Sequence, residues 1–151
     1  NLSGQVFMEK QTPYGISNPF FALDELLQAQ AQKDDIIIVD LHAEVTSEKN
    51  AFGWYADGRA TIVYGTHTHI PTGDTKILTK GTAFQTDLGM TGAKDSVIGV
   101  IPENSVNMFL EKAKMKMELP ESGPAVANAL LVETEGSKVI KIERLQAEVN
   151  F

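Results

Sequence analysis

Apolar and polar positions along the chain follow two periods, one of strands and one of helices. Residues 2–8 mix Leu2, Val6, Phe7 and Met8 with Gln5 and read as a strand. The cluster Thr12-Pro13-Tyr14-Gly15 marks a turn. Asn18-Pro19 then starts a helix, Asn as cap and Pro at the first helical position, where its missing N–H costs nothing. Phe20, Leu23, Leu27 and Ala31 follow at helical spacing, which predicts an amphipathic helix ending near Lys33-Asp34. Residues 35–41 form a near-continuous β-branched run, the pattern of a strand buried on both faces. Thr46-Ser47-Glu48 reads as an N-cap with an acid in the first turn. It opens a helix through Ala51, Phe52, Trp54 and Tyr55 to Gly58, a glycine placed to end it, and a strand at 60–64 follows.

Residues 70–91 are rich in Thr and Gly, with short apolar stretches at Ile77-Leu78 and Ala83-Phe84. They read as brief β-segments and loops closing over the strand ends. A further strand is expected at 97–101, then a helix capped by Asn104 or Ser105 that carries Val106, Phe109, Leu110, Ala113 and Met117. After a loop at 120–124, alternating residues 129–133 and 139–143 flank Thr134-Glu135-Gly136-Ser137 as a β-hairpin. Helix followed by buried strand makes the class α/β. Without repeats or linkers, residues 1–151 read as belonging to one domain.

Composition narrows the function. A net charge of −7 repels polyanions, so a broad surface for DNA or long RNA is not expected, whereas a small anion at a local site is. The absence of cysteine excludes disulfides and thiolate metal sites. No apolar run reaches the roughly 18 residues of a membrane span, and a cytoplasmic location is the expectation.

Each of the three histidines follows an apolar strand: His42 after 36–41, and His67 and His69 after 61–64. Strand, helix, strand places all three at one sheet edge, and alternation along the strand points His67 and His69 the same way. Imidazoles gathered at the carboxyl ends of strands suit metal ligation. The acids near this edge are Asp40, Glu44, Asp74 and Asp87. Asp40 or Glu44 would orient His42 from behind. A solvated or capping role competes for Glu44 and is preferred for Asp74. Arg59 reads as a surface residue rather than a phosphate ligand, Trp54 and Tyr55 as core and boundary residues, and Met115-Lys116-Met117 as a helix end.

The segments Val39-Asp40-Leu41-His42-Ala43-Glu44-Val45-Thr46-Ser47-Glu48-Lys49, Gly53-Trp54-Tyr55-Ala56-Asp57-Gly58-Arg59, Gly65-Thr66-His67-Thr68-His69 and Thr86-Asp87-Leu88-Gly89-Met90-Thr91-Gly92 together carry a resemblance. From about residue 2 to 144 the chain resembles the carboxyl-terminal half of YmdB-type bacterial phosphodiesterases, members of the calcineurin-like metallophosphoesterase superfamily. The resemblance implies a β-sandwich flanked by helices, with two metal ions at the sheet edge and the amino-terminal half missing. By position, His42 matches the superfamily's single histidine, and His67 and His69 match its Gly-His-x-His pair, with Thr66 standing after Gly65. On this match His42 and His67 bind one metal and His69 the other, with iron or manganese favoured and zinc third.

The family's earlier motifs, which bring the bridging carboxylate and the general acid, have no counterpart, so no catalytic residue is assigned in this chain. The implied function is metal-assisted hydrolysis of a small phosphodiester such as a 2′,3′-cyclic nucleotide, with this chain alone inactive. A non-catalytic metal- or nucleotide-binding module is the alternative, and a structural domain with internally satisfied histidines the third reading. Half of a packed sheet pair exposes apolar surface, so association with the missing half or with further copies of itself is expected.

Overall fold

The computed structural model describes residues 1–8, 15–114 and 116–151. The turn expected at Thr12, Pro13 and Tyr14 and the Met115 end of the third helix lie outside them. The chain is mixed α/β. A five-stranded sheet has the order β1-β2-β3-β5-β4, built from β1 (Leu2–Ser3), β2 (Ile38–His42), β3 (Ile62–Thr66), β4 (Lys76–Ile77) and β5 (Ala83–Gln85). Strands β1, β2, β3 and β5 run parallel, and β4 is antiparallel to β5. A second, antiparallel sheet has the order β6-β7-β8, from β6 (Gly92–Ala93), β7 (Pro124–Glu135) and β8 (Lys138–Asn150). The helices are α1 (Pro19–Gln30), α2 (Thr46–Ala56) and α3 (Pro102–Phe109). No described helix is long and apolar enough to cross a membrane.

Helix α1 starts as its sequence indicates: the Asn18 side chain accepts the Phe20 N–H, and Pro19 occupies the first turn. It ends at Gln30, short of Lys33-Asp34, because the Asp35 carboxylate accepts the Gln32 N–H and Asp34 takes a left-handed backbone. The strand expected over 2–8 keeps only Leu2 and Ser3. Beyond Gly4, the Glu48 carboxylate accepts the N–H groups of Gln5 and Val6 and turns the chain away from the sheet. Glu48 therefore serves another segment, and α2 begins after Val45 with no side-chain cap, Thr46 being already helical. Gly58, at φ +78°, follows the end of α2 as expected.

Helices α1 and α2 cover one face of the parallel sheet. Leu23, Phe52 and Ala56 pack there with Val39, Leu41, Val63 and Phe84. The other face of β2 is not closed. Ile38 is 56% exposed and Ile36 51%, which corrects the expectation of a strand buried on both sides. Asp40 and His42 lie on this same open face as Ile38, since alternate residues share a side.

Other boundaries also move. Strand β3 starts at Ile62, because Thr61 is engaged by Ile37 through both hydroxyl and backbone. The strand expected at 97–101 is a single bridge between Val97 and Val100. Helix α3 starts at Pro102 and stops at Phe109, so neither Asn104 nor Ser105 caps it, and Val106 and Phe109 are exposed. Trp54 is exposed rather than core, and Tyr55 meets Phe20 edge-on at the surface. The β7–β8 hairpin is present and longer at both ends than its alternating centre. Strand β5 is fully buried inside the sheet and is more than a covering loop.

Candidate functional site

Strands β2 and β3 lie in register, so that His42 stands beside Thr66 and Asp40 beside Tyr64. Thr66 Oγ1 is 2.8 Å from Asp40 Oδ1 and 3.1 Å from His42 Nδ1. A carboxylate only accepts, so the single threonine proton goes to Asp40, and His42 Nδ1–H must donate to Thr66. Asp40 thus orients His42 through an intervening hydroxyl. Burial, and then the neighbouring His67, push the His42 pKa below its ordinary value and favour the neutral ring.

His67 lies one residue beyond the end of β3. Alternation no longer applies there: His67 has φ +107° and His69 φ +68°, both uncommon for residues with side chains. This backbone returns His67 Nδ1 to 3.0 Å from His42 Nε2, with the rings edge-on at 88°. On its far side, His67 Nε2 is 2.9 Å from Glu44 Oε2. Glu44 therefore serves His67 and not His42. His69 Nδ1 donates to the Ile98 carbonyl at 2.8 Å, so the structure brings His42 and His67 together while His69 is anchored to the next loop.

The proton positions follow from these partners. His67 Nε2 must donate to the Glu44 carboxylate, and His69 Nδ1 to a carbonyl, as His42 Nδ1 does to Thr66. Each histidine consequently has one nitrogen secured from outside, an arrangement characteristic of metal-ligating imidazoles. His42 Nε2 and His67 Nδ1 face one another across 3.0 Å, where two lone pairs repel unless a proton or a cation lies between them. Two imidazole nitrogens that share a cation at roughly 2.0–2.1 Å each, near a right angle, are about 3 Å apart. The donor pair fits such an ion. It supplies only part of a coordination shell, and among the described residues no three His, Asp or Glu side chains are grouped to hold one.

Beneath the histidine turn is an ion pair that sequence reading missed. Lys49 Nζ on α2 meets Asp87 Oδ2 at 2.6 Å, and both side chains are buried. The same Asp87 carboxylate accepts the N–H of Thr68 at 3.1 Å and of Gly89 at 2.8 Å. It ties the Gly65-Thr66-His67-Thr68-His69 turn to the segment after β5. Burial alone would raise the Asp87 pKa, but the hydrogen bonds from Lys49, Gly89 and Thr68 outweigh it and hold the carboxyl below 3.8. Lys49 was detectable, since it is in phase with buried Phe52, Gly53 and Ala56, and a lysine on a buried helix face calls for a partner. Asp74 is neither solvated nor a cap. It accepts from the hydroxyls of Thr72 at 2.6 Å and Thr86 at 2.5 Å. Arg59 pairs with Asp24 and lies 4.8 Å over the Tyr55 ring, before β3 and away from its histidine end.

Known proteins share this arrangement of elements. The model of the family described as YmdB-like protein matches residues 1–145. A 2′,3′-cyclic-nucleotide 2′-phosphodiesterase of Bacillus subtilis is 39% identical over 146 residues, which are 96% of this chain and 53% of that protein. A putative phosphatase/phosphodiesterase of Mycoplasma pneumoniae is 42% identical over 89% of this chain and 48% of its own length. Among solved structures, a hypothetical protein from Thermus thermophilus is 40% identical with a TM-score of 0.86, covering 97% of this chain and 55% of that one. A novel phosphatase from Mycoplasma pneumoniae is 40% identical with a TM-score of 0.87, covering 98% and 52%. The chain spans about half the length of the relatives it matches.

Proposed function

Because the chain belongs to the YmdB-like family, we propose that it carries the histidine side of a calcineurin-like, metal-dependent phosphodiesterase acting on small phosphodiesters such as 2′,3′-cyclic nucleotides. The observation that carries this reading is the His42–His67 pair, two inward nitrogens 3.0 Å apart whose outer nitrogens are already engaged. His42 and His67 would hold one cation and His69 a second. The remaining ligands, and the group that protonates the leaving oxygen, come from the part of the relatives that this chain does not span. Imidazoles combined with oxygen ligands suit iron or manganese, with zinc also accommodated.

Cations bound there supply Lewis-acid stabilisation of charge developing on the phosphoryl oxygens and a nucleophile at neutral pH. The residues of this chain orient and hold. Asp40 fixes Thr66, Thr66 fixes the His42 ring, Glu44 fixes His67, and the Ile98 carbonyl fixes His69. Net negative charge is compatible with a small nucleotide and unfavourable for long polyanions.

Metal content of the purified chain, wild type against His67→Ala, tests the site, and retention is expected to fall in the variant. Turnover of 2′,3′-cyclic AMP tests the reaction: none by the chain alone, and recovery on mixing with a segment corresponding to the other half of the relatives. Turnover by the isolated chain that survives His67→Ala would overturn the assignment. A module that binds metal or nucleotide without turnover is the second reading, favoured by the lack of a grouped three-residue ligand set among the described residues. Metal retention without turnover in the complemented mixture would select it.

A further inference from the structure

We propose, resting on the phosphodiesterase reading above, that the cavity bordered by His69, Met90, Gly92, Gly99, Leu119 and Pro120 receives the nucleobase of the substrate. Its volume is about 470 Å³, within the roughly 300–1,000 Å³ of small-molecule sites. His69 stands on its border, so the space is continuous with the histidine edge where a phosphodiester would react. The lining is mostly apolar, with Gly92, Ala93, Gly99 and Ala125 leaving room between bulkier neighbours, which suits a flat heteroaromatic ring whose phosphate remains outside.

Gly92 supplies the main argument. It sits in strand β6 opposite Val126, and a Cβ built on it meets nothing within 4 Å. Its backbone is not left-handed, so conformation does not require a glycine there. Glycine weakens a strand and marks a bulge, a bend, or the close approach of a ligand or another backbone. The β6–β7 register is unbroken at Gly92 and no backbone lies near its Cβ position, which leaves the ligand. Gly99 leaves a second bare stretch, with the Met90 sulfur 3.9 Å from where its Cβ would lie.

Met90 is pinned on both sides of its backbone. Its N–H donates to the His69 carbonyl at 3.0 Å, and its carbonyl accepts from Asn128 Nδ2 at 2.7 Å. The main chain is thereby fixed between the histidine turn and the hairpin, while the side chain stays adaptable. A thioether against an aromatic ring is a favourable contact, worth roughly 0.3–1.5 kcal/mol. Leu119, Pro120 and Phe151 add the larger apolar walls.

The test uses the chain with methyl-labelled methionine, adenosine as a base without phosphate, and ribose 5-phosphate as a phosphate without base. Adenosine is expected to shift the Met90 methyl saturably and to give intermolecular NOEs to it, leaving Met8 unmoved. Ribose 5-phosphate should leave Met90 unmoved. Gly92→Leu, which fills the space, should weaken the adenosine response at least tenfold while amide shifts away from the cavity persist. An adenosine titration without shift or NOE at Met90 in the wild type overturns the proposal whether or not the variant folds, as does a response undiminished in a folded Gly92→Leu. Metal retention by His42 and His67 is measured separately, so a failed base site is distinguishable from a failed metal site.

Discussion

Lys49 Nζ lies 2.6 Å from Asp87 Oδ2, and the two side chains are 1% and 2% exposed. Removing one member of such a pair leaves an uncompensated buried charge, which costs roughly 3–5 kcal/mol. Asp87→Ala is expected to destabilise by that order, read from the midpoint of urea unfolding. The pH dependence has a definite sign. The folded-state pKa of Asp87 is held below 3.8, so its stabilisation is fully present above that value and is lost as pH falls through the lower folded-state value. Asp74, also lowered despite burial by its bonds to Thr72 and Thr86, acts in the same direction. The loss of stability toward acid should be shallower in Asp87→Ala than in the wild type.

Gly65 gives the turn its close packing. A Cβ there would sit 2.0 Å from the Thr86 carbonyl oxygen, and that oxygen belongs to backbone that cannot swing aside. Gly65→Ala is therefore expected to cost about 3 kcal/mol, or to prevent folding, by forcing β3 and the segment after β5 apart. Gly73, exposed and with open space around its Cβ position, is the control. Thermal unfolding of Gly73→Ala should match the wild type within a few degrees.

The strand-helix-strand unit that delivers the histidines was legible because hydrophobic runs and a helix of ordinary length lie in sequence, and β2, α2 and β3 follow them. The site's wiring was less so. Alternation places His67 and His69 together only if the strand continues, whereas Thr66 ends it and the backbone turns left-handed. Glu44 then meets His67, and the neighbour left for His42 is Thr66, a residue whose hydroxyl has no pattern of its own in the sequence. Boundaries failed where distant side chains claim backbone groups, as Glu48 claims Gln5 and Val6. The hairpin extends past its expected ends because Ala125, Ala127 and Ala147 do not contrast with their neighbours as its centre does.

Thr66→Val separates orientation from ligation. It keeps the side-chain shape but removes the hydroxyl between Asp40 Oδ1 and His42 Nδ1, leaving all three histidines in place. On the proposed metal assignment, affinity should fall roughly 10–100-fold, as expected for an outer partner of a ligand. Competition with a fluorescent chelator measures it. Loss of metal equal to that of His67→Ala would make Thr66 more than an orienting group, and an unchanged affinity would show that His42 needs no such support.

Ile98 is a β-branched residue held in left-handed backbone beside the site. Val97 and Val100 exchange both backbone hydrogen bonds, at 2.8 and 3.0 Å, around a two-residue tip in which Ile98 has φ +48° and Gly99 φ +103°. Left-handed backbone at both central positions favours Asn-Gly, and for a β-branched residue it costs roughly 1–2 kcal/mol. The side chain recovers little of this, being 45% exposed, while the carbonyl holds His69 Nδ1 at 2.8 Å. Ile98→Asn should thus raise stability by about 1 kcal/mol, seen as a higher Tm, and leave the carbonyl acceptor in place. The nitrogen chemical shifts of His69 should remain those of a ring protonated at Nδ1. A more stable variant in which His69 changes tautomer would mean that the isoleucine side chain, and not only its strained backbone, sets the direction of that carbonyl.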